Sequence, residues 1–366
     1  MMLAITVTLS VALICLNSVQ AQASNTSDTS SATQAATTAN QANAAATQAA
    51  KSTVEGEVTK SSATTQVSIV TGRVAAIMAP LPPGLVGGGS GGGGTGGGGG
   101  TGGGDKPTSD AGSTSGLSAG NEPDKFGVWG MGQVSWLGNT GSATRFDGNI
   151  YTTMIGADYK PLDSLLVGIV GGYEHGYLIT KYNNGNIADD GYSITPYASY
   201  KITDTTTVDV MGGWTFLNYR NIRMNISGSQ DAVRAMINVS LNQYYQLNNW
   251  TFSGQLGHMY VNEQKNSYTE SDGTQVGKSA NYLGEWRIEG KAAYYWERFQ
   301  PYLGAAYLYD YTMSNAVGAD RDEIEGILGV NYFFSDHLIF TVEGANSFDR
   351  NRSQNTRGML NVRYSF

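Results

Sequence analysis

Four charges alternate along one stretch of this 366-residue chain: Glu285, Arg287, Glu289 and Lys291. Successive side chains of a strand point to opposite faces, so charges at two-residue spacing form a ladder on one face. The ladder is read as solvated opposite charges lining a polar interior, with tuning of ion passage as the competing role. Proton-transfer chemistry could draw on three histidines, His175, His258 and His337. A general base must lie within hydrogen-bond reach of its target and is oriented by a further group. No local serine or carboxylate signature accompanies any of the three, so they are read as interfacial or loop-end residues. No H-E-x-x-H, His-x-His or cysteine cluster gives metal-ligand spacing, and neither a cofactor nor an enzymatic activity is expected. The glycine run from Gly87 to Gly104 lacks the Gly-Lys-Ser/Thr of a phosphate loop, because Lys106 is followed by Pro107. A formal charge of -8 speaks against a sequence-independent grip on nucleic acid.

The elements that must position the charged ladder are strands. Opposite it, Tyr282, Trp286, Ile288, Ala292, Tyr294 and Trp296 share the other face, with aromatics at both ends of an apolar band. The same alternation appears in Val208, Val210, Trp214 and Phe216 against Asp209 and Thr215. It recurs in the last strand, where Leu360, Val362, Tyr364 and Phe366 face away from Asn361, Arg363 and Ser365. Strands are expected at 126–137, 147–160, 165–179, 190–201, 206–219, 230–247, 250–264, 279–297, 299–312, 322–334, 337–348 and 355–366. Twelve is an even number, which returns both ends of a closed barrel to one side of a membrane. Connections alternate in length: Pro161 to Ser164, Thr203 to Thr205, Asn248-Asn249, Arg298 and Ser335-Asp336 are short. Lys181 to Asp189, Arg220 to Ser229, Lys265 to Lys278 and Met313 to Arg321 are longer and polar. The expected fold is all-β, a 12-stranded antiparallel transmembrane β-barrel spanning 125–366; a soluble sandwich is the structural alternative.

The region before the barrel divides into four. Residues 1–23 have an apolar run from Leu3 to Leu16 and then Ala21 and Ala23, the layout of a secretory signal peptide cleaved after Ala23, or after Ala21. The run is shorter than a membrane-spanning helix needs, and bulky Ile14 before Cys15 departs from a lipoprotein signal. Residues 24–63 are a low-complexity mixture of Ala, Thr, Ser, Gln and Asn, expected to be disordered or weakly helical. In residues 64–79, Val67, Val70, Val74 and Ile77 fall on one helical face, which predicts a short helix. The β-branched residues and Gly72 leave a strand through Val67, Ile69 and Thr71 as an alternative. Residues 80–124, proline then glycine and serine, are a linker.

Phe126-Gly127-Val128-Trp129-Gly130, Ile155 to Tyr159, Val167 to Tyr173, Pro301 to Tyr307 and the terminus Gly358 to Phe366 together resemble the autotransporter β-domain of type V secretion. The resemblance covers about two-thirds of the chain and departs from the family in a passenger of only about a hundred residues with no solenoid repeat. It implies a monomeric barrel in the bacterial outer-membrane lipid, reached through the secretory translocon and inserted by the barrel-assembly machinery. The aromatic last strand, Leu360, Val362, Tyr364 and Phe366, serves as the assembly signal. It also implies a helix inside the pore, which is assigned to residues 64–79, and export of the N-terminal segment. An Asn-Asn pair in that helix cleaves the passenger in some members, whereas Asn183-Asn184 and Asn248-Asn249 lie in connections here, so the passenger is expected to stay attached. The expected function is a translocator and anchor displaying a short passenger at the cell surface. The alternatives are a small-solute pore and an adhesin acting through the long loops.

Overall fold

The computed structural model describes residues 29–78, 125–314, 321–335, 337–348, 350 and 352–366, with side chains described from Thr47 onward. The signal peptide and the linker lie outside the described residues. The chain forms two units, residues 1–48 and 49–366. One helix, α1 (Thr29–Met78), contributes to both. Of the two readings of residues 24–63, disordered or weakly helical, the described part from Thr29 to Ala63 takes the helical one, and the short helix expected at residues 64–79 is the end of this longer one. Alanine and glutamine are good helix formers, and no proline interrupts the segment. Large apolar groups are scarce because the second half of the helix packs into a partly polar interior. There small and hydroxylated side chains fit, and the usual greasy stripe is not required. The strand alternative for Val67, Ile69 and Thr71 is likewise replaced by helix.

The rest of the second unit is one closed antiparallel sheet. Its strands are β1 (Phe126–Asn139), β2 (Phe146–Leu162), β3 (Leu165–Thr180), β4 (Gly185–Thr203), β5 (Thr206–Arg223), β6 (Ile226–Leu247) and β7 (Trp250–Lys265). A two-residue hairpin, β8 (Tyr268–Thr269) and β9 (Gln275–Val276), precedes β10 (Ser279–Tyr294), β11 (Phe299–Met313), β12 (Asp322–Phe333), β13 (Leu338–Phe348) and β14 (Ser353–Ser365). Each barrel strand pairs with its neighbours in sequence, and β14 closes onto β1 in a register running from Gly127 opposite Ser365 to Asn139 opposite Ser353. Phe126 and Phe366 exchange backbone hydrogen bonds of 3.1 and 3.0 Å at the seam. Closure leaves the wall no unpaired edge.

All twelve expected strands are present, and two of the four long connections are shorter than expected. β4 begins at Gly185, and β5 and β6 run to Arg223 and from Ile226, so the connections reduce to Lys181–Asn184 and Met224–Asn225. Polar composition misplaced these ends: beyond an apolar band a strand can be polar on both faces while its ladder hydrogen bonds continue. The Asn-Asn pairs are turns, with Asn184 and Asn248 at φ of 48° and 53°, a region asparagine tolerates.

Outward side chains make an apolar band with aromatics toward both rims. At the short-turn end Phe126 stacks on Tyr159 at 4.6 Å, Trp250 meets Tyr294 at 5.0 Å and Phe299 meets Tyr332 at 4.9 Å. Nearer the other rim, Tyr173 packs on Tyr192 and His258 on Trp286. Leu360, Tyr364 and Phe366 are exposed on this outer wall, with Val362 on the same face and partly covered. His258 also bonds the Tyr311 hydroxyl, and His175 pairs with Asp190 on the outside.

Candidate functional site

The polarity of α1 within the lumen follows from its partners. Lys51 donates to the Tyr268 hydroxyl at 2.8 Å, and Arg350 pairs with Glu57 at 3.1 Å, both at the long-loop end. Twenty-two residues after Lys51, about 33 Å along a helix, Arg73 grips Asp158 through Nε at 2.7 Å and Nη2 at 2.8 Å. Asp158 sits across from Gly127, at the short-turn end where β1 begins. The helix therefore traverses the barrel with its Ala49 end at the long loops and its Met78 end at the short turns.

One side of the helix is dry. Val70, Val74 and Ile77 pack with Trp129, Leu166, Val170 and a set of methionines that includes Met131, Met154 and Met211. Higher up, Val54 and Val58 meet Leu137, Phe146, Ile150, Leu178 and Leu217. Methionine fills irregular gaps between a cylinder and a pleated wall.

The other sides are ionic. Lys60 lies 2.6 Å from Asp310, 3.2 Å from Glu323 and 3.5 Å from Glu285, so three strands converge on one ammonium. Arg234, fully buried, bonds Glu263 at 2.8 Å and Glu174 at 3.1 Å and donates to Ser62 of the helix at 2.6 Å. Lys265 bridges Glu55 of the helix and Glu263 of the wall at 2.6 and 3.2 Å. Further hydrogen bonds add to these, including Gln133 to Thr65 at 2.7 Å and Thr59 to the Glu263 carboxylate at 3.0 Å. Asp158 is itself fixed from behind, because Trp129 donates to the Tyr197 hydroxyl, which donates to Asp158 at 3.1 Å. In the loop after β13, burial pulls the Arg350 guanidinium down, but Glu57, Glu323 and Asp310 outweigh it and hold it more firmly charged than usual. Buried charges that each have a partner are tolerated; the same charges stripped of one partner are not.

The structure brings two of the three expected residue sets together. Val67, Val70, Val74 and Ile77 are buried on the helix within the barrel. Glu285, Arg287, Glu289 and Lys291 point inward from β10, but they do not form a solvated ladder. Glu285 and Arg287 are buried, Arg287 pairs with Glu289 at 2.6 Å and Glu325 at 2.7 Å, and Lys291 pairs with Glu289 at 2.9 Å. The helix that the resemblance placed in the pore extends far enough along the lumen to reach these charges, as Lys60 does Glu285. The four residues of the terminal strand lie apart, on the outer wall. Lys60, Arg73, Arg234 and the carboxylates that hold them were missed. Their partners are far away in sequence, and the available signal was that Asp158, Glu174, Arg234, Glu263, Asp310 and Glu323 all fall on the inward phase of their strands.

Between the last turns of the helix and β6, β7 and β10–β14 lies a cavity of about 240 Å³. Arg73, which also lines this cavity, approaches β1 so closely that a methyl group at Gly127 would collide with its guanidinium. The helix thus ends within a few residues' reach of β1, and residues 79–125 are far longer than that gap requires. Deletion of residues 87–104 is expected to leave barrel stability within about 0.5 kcal/mol, as for surface changes. It should also leave a cysteine at Ser62 shielded from a water-soluble maleimide. Labelling of that cysteine after the deletion would show that the linker sets the helix position.

The Autotransporter beta-domain family matches residues 128–326 of this sequence. Among solved structures, the translocator domain of the autotransporter NalP from Neisseria meningitidis aligns with a TM-score of 0.59 at 12% identity, covering 67% of this chain and 90% of that one. The beta domain of the Bordetella autotransporter BrkA aligns at 0.57 and 16% identity, covering 66% and 100%. The transport unit of the autotransporter AIDA-I from Escherichia coli aligns at 0.52 and 18% identity, covering 68% and 93%. At these identities the structural likeness speaks to the fold. No curated protein matches the sequence.

Proposed function

The chain belongs to the autotransporter β-domain family, and from that premise we propose that its barrel, an outer-membrane translocator and anchor, holds the segment preceding the helix at the cell surface. The observation that carries this reading is the polarity of α1. Its Met78 end and the start of β1 share the short-turn end of the barrel, and its Lys51 end emerges among the long loops. Short turns face the periplasm in bacterial outer-membrane barrels and long loops face outward. A chain threaded in this sense runs from the outside, down the lumen, to the periplasmic rim and into the wall. Insertion through the barrel-assembly machinery, with Leu360, Val362, Tyr364 and Phe366 as the recognised face, fits the exposure of that strand at the seam.

Display is tested on intact cells. An epitope placed after Asn25 is expected to bind antibody without permeabilisation, to the same extent as one inserted in the Lys265–Lys278 loop. Labelling only after the outer membrane is breached would place the segment in the periplasm and end the reading. The adhesin alternative loses ground with the two shortened connections, which leave little loop surface at Lys181–Asn184 and Met224–Asn225.

A further inference from the structure

We propose that Asp189 is a proton-binding site that couples docking of the helix to the pH of the medium around the long loops, so that the lock on the helix loosens as that medium turns alkaline. Six charges in the long-loop half of the lumen form a row of alternating sign: Lys51, Glu55, Lys265, Glu263, Arg234 and Glu174. Their successive contacts are 3.6, 2.6, 3.2, 2.8 and 3.1 Å. The row is neutral by itself. Asp189 on β4 lies against its Glu174 end as a seventh charge with no opposite. Strand register sets that approach, because Gly176 faces Asp189 and Gly191 faces Glu174 across β3 and β4. Each carboxyl folds over the glycine opposite: a methyl group at Gly176 would collide with Asp189, and one at Gly191 would lie 2.8 Å from Glu174.

Asp189 is sealed from solvent, and neither of its carboxyl oxygens has a hydrogen-bond partner among the described residues. The donors around it are spent on others. Arg234 gives Nε to Glu263, Nη1 to Ser62 and Glu174, and Nη2 to Tyr219. The Tyr219 hydroxyl donates to Glu263 at 3.1 Å, and Ser62 donates to Glu174. The titratable and charged groups facing Asp189 are thus Glu174 of β3, Arg234 of β6 and Glu263 of β7, with Asp190 beside it on β4. Tyr219, its partner on β5, also faces Glu55 of the helix. The site stands clear of the lipid band, because the outward residues at this height are Asp190, Asn218 and Arg220, beyond the Tyr173–Tyr192 pair. Burial first, and then Glu174, raise the titration of Asp189 to about 8, with Arg234 pulling the other way. The cover is the helix itself: Val54 and Val58 pack with Leu178, Ile187 and Leu217, each two residues along from Gly176, Asp189 and Tyr219.

Withdrawal of the helix admits water to Asp189 and returns it to the ordinary carboxylate range, about 4. Docking therefore takes up one proton. For this group the docked state is favoured most at low pH, loses about tenfold per pH unit between about 4 and about 8, and loses no more above that.

That the medium concerned is the cell's exterior rests on the orientation proposed above; the linkage itself does not, so it is measured on the purified full-length protein in detergent. A cysteine is placed at Ala63, a fully buried helix position. Its labelling by a water-soluble maleimide is divided at each pH by the rate for a short cysteine peptide, which leaves the frequency of opening. Between about pH 5.5 and about pH 7.5, opening of the parent is expected to rise more steeply than that of Asp189→Asn by about one decade per pH unit. The amide imitates the neutral acid, so the variant should be at least about tenfold better protected at the upper pH. His175→Gln, which removes the exposed histidine near this site, should keep the parent's slope. Equal slopes in the parent and Asp189→Asn would overturn the proposal. Infrared spectra give a second reading that needs no opening: at about pH 6, below the raised titration, Asp189→Asn is expected to lose one protonated-carboxyl band. An unchanged band would overturn the site as well.

Discussion

Deleting residues 24–124 from the mature chain is expected to raise single-channel conductance in planar bilayers by about tenfold or more, because a cylinder some 10–12 Å across is withdrawn from the bore. The full-length protein should show only small, brief currents. The helix from Ala49 to Met78 contacts the wall on its dry side through two clusters and elsewhere through at least five ion-paired or hydrogen-bonded side chains: Glu55, Glu57, Lys60, Ser62 and Arg73. Equal conductance in the full-length and deleted proteins would show that the helix does not occupy the pore in a membrane. The result separates an anchored translocator from a solute pore, since a pore has no use for a permanent occupant held by buried charge.

Arg234→Met is expected to loosen that occupant more than any other single change. The guanidinium holds Glu174 and Glu263 and reaches the helix through Ser62, all in full burial. Removing one member of a buried ionic set costs about 3–5 kcal/mol, here chiefly because Glu174 loses the guanidinium that balances it, while Glu263 keeps Lys265. If that cost falls on helix docking, opening becomes about two to four orders of magnitude more frequent. A cysteine at Ser62 then labels correspondingly faster in the Arg234 variant. Replacing Glu174 and Glu263 by glutamine in the same background should restore much of the protection, because no charge is then stranded. Unchanged labelling in Arg234→Met would mean that the dry clusters hold the helix alone.

The barrel was legible because each strand obeys a period of two that lipid on one side and a filled interior on the other both enforce. Trp286, Ile288 and Tyr294 announce the outer face as clearly as Glu285 and Arg287 announce the inner. The helix was only half legible. Val67, Val70, Val74 and Ile77 gave away its last turns, but residues such as Ser61, Ser62, Thr64 and Thr65 carry no apolar stripe, since the surface they meet is partly polar. Strand ends at Arg223 and Ile226 were obscured for a related reason: outside the apolar band, alternation fades before pairing does. The ionic lock was invisible as a set because Lys60 and Asp310, or Ser62 and Arg234, become neighbours only when the barrel closes around the helix.

The excess length of residues 79–125 bears on how far the chain travels outward. A taut connection would fix that distance by its own length; this one leaves it undetermined. What remains to set it is the match between fixed charges. A slip of one residue moves the helix about 1.5 Å and turns it about 100°, which would carry Glu55, Glu57, Lys60 and Arg73 away from their counterparts together. The interior thus works as a vernier: only one setting brings every mark into line, and that setting measures out how many residues stand beyond the membrane.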